Sequence, residues 1–374
     1  MTRHTLRKSD SGKSVRVGIT HGDFNSISYE VILKTLADSR INELCTPVIY
    51  GSSKIASYHK KTIKVPDYMI NVVKRTDQLH TRKPNIINVL NEEARIELGK
   101  STPQAGTFAF AALERAIEDL REQRIDVLVT GPINKKNIQS KDFRFPGHTE
   151  YLANSFDSKE YLMLMVCNQF KIGTVTGHIP LSEVPKAIST GLILSKLRIL
   201  NQSLIRDFGI RKPKIAVLGL NPHAGDSELL GKEETDVLIP AIRKAEQEGI
   251  LAIGPFASDG FFGSAQYNHY DAILAMYHDQ GLIPFKALAF ESGVNYTAGL
   301  PVIRTSPAHG TAYDIAGKDL ASEESFREAL YLAIDIFNKR TEYDEVNSNP
   351  LQFGLAPETT VDEDLPDTPD EPEH

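Results

Sequence analysis

The chain has 374 residues, 41% hydrophobic and 24% charged, enough for two domains or one large two-lobed α/β unit. Its formal net charge is -7, but eight acids with no Lys or Arg follow Ala356, so the rest is near neutral and offers no basic face for nucleic acid. Cys45 and Cys167 make neither a disulfide scaffold nor a paired-Cys metal motif, the polar basic start has no secretory apolar segment, and no apolar run reaches membrane-spanning length; a cytoplasmic protein is expected.

In chain order, "VRVGIT" (15–20) reads as a short strand and "SYEVILKTLAD" (28–38) as a helix. "TPVIYG" (46–51) is a second strand, and residues 103–123 are a helix with Phe108, Ala112, Ala116 and Leu120 on one stripe. "IDVLVTGPINK" (125–135) is an apolar strand broken at Gly131-Pro132, and "YLMLMVC" with "IGTVTGH" reads as a strand pair. A helix stopped by Gly209 follows, then the strand of "KIAVLGLNPHAGD" and a helix closed by Gly249. "AILAMYHDQG" (272–281) begins as a buried strand and turns at Gly281. The last helix spans 322–340, with Ser322 as its expected N-cap, and order is expected to end near Tyr343. Strands alternating with helices imply a largely parallel sheet covered on both faces.

Ligands of such folds bind beyond the carboxyl ends of the strands, and here those ends are polar: His21-Gly22-Asp23, Gly131 to Lys135, Gly177-His178, Asn221-Pro222-His223 and His278-Asp279. A lone histidine in a turn is usually structural, but three at one edge suit a catalytic divalent metal with an open coordination position. The spacings of His178, His223 and His278 are too long for sequence alone to bring them together. His148, Thr149, Lys286, Asn295 and Arg304 are cationic or hydrogen-bonding and suit an anionic substrate; the plain alternative is surface charge. In "HGTAYDIAGKD" (309–319) small residues let backbone approach a ligand, and Asp314 can accept from hydroxyls. No G-x-G-x-x-G occurs, so a nicotinamide cofactor would not bind in the Rossmann manner.

"TGPINK", "GHTEYLA", "GLNPHAGD", "AMYHDQG" and "VNYTAGLPVIRTSPAHGTAYDIAG" together resemble the 4-hydroxythreonine-4-phosphate dehydrogenase family of pyridoxal 5'-phosphate synthesis, from about Val15 to about Phe337. The last stretch also looks like the cofactor loop of isocitrate and isopropylmalate dehydrogenases. The resemblance implies a two-lobed isocitrate/isopropylmalate dehydrogenase-like α/β fold with largely parallel sheets, and a homodimer with a shared active site. The expected division is a flexible basic tail (1–14), a cofactor-side lobe (15–140 plus 300–345), a metal, substrate and dimer lobe (141–299) and a disordered acidic tail (346–374). It implies one divalent metal (Zn, Mg or Co) on His178, His223 and His278, with His278 contributed across the dimer. It also implies a small phosphorylated amino-acid substrate on His148, Thr149, Lys286, Asn295 and Arg304. NAD or NADP would lie against His309, Gly310, Thr311, Ala312 and Asp314. Asp259, Lys286 and Asp279 are the catalytic candidates, Asp279 by orienting a ligand.

The chain departs from the family in two places. The first motif, usually close to G-D-P-A-G-I-G-P-E, reads "GDFNSISYE" here, and the glycine-rich run after His223 is replaced by "DSELLGKEE". The implied reaction is NAD(P)-dependent oxidation of 4-phosphooxy-L-threonine to 2-amino-3-oxo-4-phosphooxybutanoate, which loses CO2 to give 3-amino-1-hydroxyacetone 1-phosphate. Rival readings are a paralogue acting on an unphosphorylated hydroxy acid such as 4-hydroxythreonate, a metal-dependent non-redox enzyme, and a binding protein that has lost the reaction.

Overall fold

The computed structural model describes residues 14–90 and 93–349. The expectations for the two tails fall outside these residues, apart from Ser14 and 346–349. Twelve strands form one sheet: β1 (Val15–Thr20), β2 (Cys45–Gly51), β3 (Asn71–Val73), β4 (Asn85–Asn88), β5 (Val127–Thr130), β6 (Leu162–Val166), β7 (Lys171–Thr174), β8 (Lys214–Leu218), β9 (Leu251–Phe256), β10 (Ala272–Ala275), β11 (Val294–Ala298) and β12 (Arg304–Pro307). Their order is β3-β4-β2-β1-β5-β12-β11-β6-β7-β10-β8-β9.

The six strands from β3 to β12 are mutually parallel, and so are the four from β7 to β9. Between the blocks, β11 is antiparallel to both β12 and β6, and β6 is antiparallel to β7. The two parallel blocks therefore run in opposite directions, joined by an antiparallel seam.

Alternation along each strand explains the layers. In β2, Ile49 faces one core with the helices Ser28–Leu36, Thr190–Arg206 and Glu324–Val346. Its neighbours Val48 and Tyr50 face another, built on the helix Pro103–Arg121. In the second block Ile172, Ala216, Ile273 and Ala275 pack on Phe261 and Phe285. Helix starts follow local chemistry: Thr102 and Ser189 accept hydrogen bonds from Ala105 and Leu192 backbone N–H groups, and Pro103 occupies the first turn. Phe143, Leu152 and Ala153, expected in the second lobe, pack instead in the core beside the helix Pro103–Arg121.

Three boundaries differ from expectation. The last helix begins at Glu324 and runs to Val346; Ser322 accepts from the Glu324 N–H at 3.3 Å but is not the N-cap. The helix before Gly209, expected over the stretch that begins at Ser195, begins at Thr190, five residues earlier, because Ser189 caps it. Most consequentially, the chain does not turn at Gly281. A helix runs from His278 to Ala289, and Gly281 lies inside it. A Cβ there would stand 3.1 Å from Thr174 Cγ2, so glycine serves helix-to-strand approach rather than a turn.

One buried charge network ties the seam to the helices. Asp207 accepts from Arg340 Nε (2.6 Å), Tyr296 OH (2.6 Å) and Ser203 OH (2.6 Å), and Arg340 also donates to the Tyr296 oxygen (2.9 Å). Burial alone would raise the Asp207 pKa, but Arg340 and the hydroxyl donors outweigh it and hold the carboxyl below its usual value. Among the described residues no helix is long and apolar enough to cross a membrane.

Candidate active site

A pocket of about 580 Å³ lies over the face of the antiparallel seam. Register sets its floor. Asn295 of β11 stands opposite Met165 of β6, and Thr297 opposite Met163. Asn295, Met163 and Met165 line the pocket, while Tyr296, pointing the other way, enters the Asp207 network. His148 and Thr149, the first residues of the helix His148–Ser155, close one side with Lys135 and Glu150. His178, His278, Leu282 and Lys286 close the other. All five expected substrate residues, His148, Thr149, Lys286, Asn295 and Arg304, thus line one cavity within a single chain. The expectation of a site beyond the carboxyl ends of the strands is modified: the floor is a sheet face, and Arg304 is the first residue of β12.

Arg304 is only 3% exposed. Its Nε and Nη2 donate to the Thr130 hydroxyl oxygen at 3.0 and 2.7 Å, and its Nη1 approaches the Thr149 and Thr297 hydroxyls at 3.5 Å. Nη2 also donates to His148 Nδ1 at 3.3 Å. Guanidinium can only donate, so His148 carries its proton on Nε2. Among the described residues no carboxylate lies within ion-pair distance of Arg304. Burial lowers its pKa to about 10, with Glu150 opposing from farther away. His148 is held well below the ordinary histidine value, first by burial and then by Arg304 and Lys135. A buried cation with neutral partners favours the arrival of an anion. The Asn295 Oδ1 is buried without a hydrogen-bond partner, a second open position in the same cavity.

The three histidines follow β7, β8 and β10, which are adjacent and parallel in the order β7-β10-β8. Topology therefore delivers all three to one sheet edge. His178 and His278 meet, their ring centroids 5.2 Å apart and their planes tilted by 44°. Burial, then Lys135 and His278, lower the His178 pKa and favour its neutral form. His278 Nδ1 lies 2.7 Å from Asp279 Oδ1; with the proton shared there, its Nε2 lone pair is free for a ligand. Asp279 thus orients His278 from outside the pocket, lining a second cavity of about 390 Å³ behind the histidine pair.

His223 does not join them. It is exposed, at φ 55°, and begins a left-handed run through Ala224, Gly225, Asp226, Ser227 and Glu228. Here the chain has replaced glycines by residues that strain in that region. Among the described residues of one chain no three His, Cys, Asp or Glu side chains cluster as a metal site. Within one chain His178 and His278 pair and His223 stands apart. The imidazole pair and the Asp279 bond fit a divalent cation, with the donor set short by one. Asp259 is also outside the pocket, exposed in the short helix Ser258–Gly263 after β9. Of the catalytic candidates, Lys286 alone lines the pocket.

The cofactor-side loop leaves β12 through Ala308, which lines the same pocket. His309 Nδ1 pairs with the Gly310 carbonyl at 3.1 Å, its Nε2 is buried without a partner, and burial lowers its pKa. A Cβ on Gly310 would meet nothing within 4 Å. Thr311 accepts from the Ile27 N–H at 3.2 Å, Ala312 has φ 41°, and Asp314 is exposed. An open backbone and an unpartnered ring nitrogen fit a dinucleotide. The altered first motif supports this loop from below: Asp23 accepts from Tyr313 OH (2.7 Å), Asn137 Nδ2 (2.8 Å) and the Asn25 N–H (2.9 Å). Tyr29, where the family has proline, stacks between His21 (5.2 Å) and His59 (5.1 Å). His21 is therefore a buried structural residue, not a ligand at a functional edge.

Thr130, Lys135, Glu150 and Thr297 lie inside the quoted motifs without having been singled out, and Met163 and Met165 had no motif to announce them. The alternation in "LMLMV" gives the methionines a common face, but its partner β11 lies more than a hundred residues away.

Residues 43–333 match the family described as pyridoxal phosphate biosynthetic protein PdxA. The chain is 54% identical over 339 residues to the 4-hydroxythreonine-4-phosphate dehydrogenase of Bacteroides thetaiotaomicron, covering 90% of this chain and 93% of that protein. It is 37% identical to the D-threonate 4-phosphate dehydrogenase of Cupriavidus necator, over 87% of this chain and 98% of that one. The crystal structure of 4-hydroxythreonine-4-phosphate dehydrogenase from Klebsiella pneumoniae superposes with a TM-score of 0.77 at 32% identity, covering 87% of this chain and 99% of that chain.

Proposed function

The chain belongs to the PdxA family of pyridoxal phosphate biosynthetic proteins and is an oxidoreductase, and from that premise we propose that it oxidises 4-phosphooxy-L-threonine with NAD or NADP. The observation that carries the substrate class is Arg304: a buried guanidinium with no carboxylate partner among the described residues, flanked by Thr149 and neutral His148. A phosphate answers that need in charge and in geometry. Lys286 at the rim attracts the substrate's anionic end, and the free Asn295 Oδ1 accepts from its hydroxyl or ammonium. The Met163–Met165 floor excludes water beneath the reacting carbons.

His178 and His278 would hold a divalent cation (Zn, Mg or Co), which when bound makes the substrate hydroxyl more acidic and polarises the ketone for loss of CO2. NAD or NADP, against His309, Gly310, Thr311, Ala312 and Asp314, would accept the hydride. The product is then 2-amino-3-oxo-4-phosphooxybutanoate, decarboxylating to 3-amino-1-hydroxyacetone 1-phosphate. The third donor is His223 from a second copy of the chain, in a homodimer. Exposed Ile179 and Leu181 beside His178, and exposed Ile283 on the His278 helix, support that interface. Two buried free thiols suit the reducing cytoplasm.

The test is initial rates of nicotinamide reduction with 4-phosphooxy-L-threonine, D-threonate 4-phosphate and 4-hydroxythreonate, each with NAD and NADP. Highest kcat/KM on 4-phosphooxy-L-threonine is expected. Faster turnover of the unphosphorylated acid would overturn the phosphate assignment, and no reduced nicotinamide with any of them would overturn the reaction.

A further inference from the structure

The amide in "AMYHDQG" enters neither the pocket nor the metal pair, yet it joins three strand ends. Gln280 Oε1 accepts from the Met276 N–H at 2.6 Å, fixing the end of β10 just before His278. Its Nε2 donates to the Gly219 carbonyl at 2.5 Å, at the end of β8 and four residues before His223. The other Nε2 proton reaches Ser258 Oγ at 2.7 Å, at the start of the Asp259 turn after β9. Both donors and one of the two lone pairs of the oxygen are used.

The His223 side needs such a hold. Six consecutive residues from His223 to Glu228 lie at positive φ, five of them not glycine. Glu234, 3% exposed, grips the near end by accepting from the Leu220 and Asn221 N–H groups at 2.8 Å each. Gly219, on which Gln280 pulls, is the residue against which Ala224 packs: a Cβ there would lie 3.0 Å from the Ala224 Cα. We infer that Gln280 is a positioning residue: its amide clamps the β8 end to the β10 end and thereby sets the spacing between His278 and His223, two of the three histidines that each chain offers to metal binding. The clamp itself stands on hydrogen bonds; its consequence for metal affinity rests on the reading proposed above.

The experiment compares wild type with Gln280→Glu, which keeps size and the Met276 bond but turns the donor into an oxygen facing the Gly219 carbonyl. Hydrogen exchange of peptides covering 219–230 should quicken at least tenfold, with peptides covering 15–51 unchanged. Co²⁺ titration of metal-free protein should give a dissociation constant raised by roughly 10- to 100-fold, the range for groups that orient ligands. Unchanged exchange at 219–230, or equal acceleration everywhere, overturns the clamp. Should Gln280→Glu fail to fold, Ser258→Ala and Gln280→Met give the same comparison with smaller and neutral perturbations. If wild type binds no Co²⁺, the metal reading fails, while the exchange data still decide the clamp.

Discussion

Replacing Arg304 by methionine separates what the residue does for folding from what it does for substrate. The guanidinium is fully charged at neutral pH in folded and unfolded chains alike. Burial lowers its folded pKa from the ordinary guanidinium value to about 10, and at roughly 1.4 kcal/mol per pH unit that gap is a cost of about 3 kcal/mol to the folded state. Methionine keeps most of the stem and removes the charge, but gives up the two bonds to Thr130, about 1 kcal/mol net each. The ligand-free variant should therefore be more stable than wild type by about 1 kcal/mol, a rise of about 1 °C in Tm. Phosphate binding should weaken by about 2 to 5 kcal/mol, at least thirtyfold in dissociation constant. Thermal melts with and without inorganic phosphate read both effects: the wild-type Tm climbs with phosphate and that of R304M stays level. A variant that melts below wild type in phosphate-free buffer would show that the buried charge is not a net cost and refute the reasoning.

Acid should weaken the first block through His21 and His59, whose pKa values burial lowers to about 4. Between about pH 6.5 and 4 the unfolded chain binds these protons and the folded chain does not, so stability falls as pH drops, by roughly 3 kcal/mol per unit for the pair; in urea titrations across this range, H59Q should reduce the slope by about half, and an unchanged slope counts against the assignment. Arg340→Met strands the buried Asp207 carboxylate and should cost about 3 to 5 kcal/mol in urea unfolding, with much of it recovered in the D207N/R340M double variant; a loss below 1 kcal/mol in the single variant would contradict the network. His278→Ala should lower turnover by more than about a hundredfold with an unchanged circular dichroism spectrum, and near-normal turnover in metal-free buffer would sink the ligand assignment.

The alternation of strands and helices was readable because each apolar run in a parallel sheet is buried on both faces, so β1, β2, β5 and the strand pair β6–β7 stood out. Four of the five substrate-side residues lay in motifs, Lys286 being the exception, and the structure gathers all five. What the chain could not disclose depends on pairing at long range. The β11–β6 register, which turns Asn295 and the methionines to one face, joins segments far apart in sequence. Gly281 carried a turn signal, yet its lack of a side chain serves packing against Thr174. His21 shared the polar strand-end signature of His178 and His278, but a tyrosine at position 29 stacks on it in the core. His223 keeps its motif, yet it and the five residues after it lie in left-handed backbone, which residue types such as Asp226, Ser227 and Glu228 do not announce.

The antiparallel seam has a mechanical consequence. Because β12, β11, β6 and β7 are continuously hydrogen-bonded, the two halves of the molecule share a backbone lattice instead of a loose tether. Any approach of the cofactor side to the histidine side must come from torsion of that lattice, which moves the whole floor of the cavity together. Turnover would then be sensitive to stiffness at residues such as Tyr296 and Arg340, which touch no reactant but brace the underside of the plate on which the reaction rests.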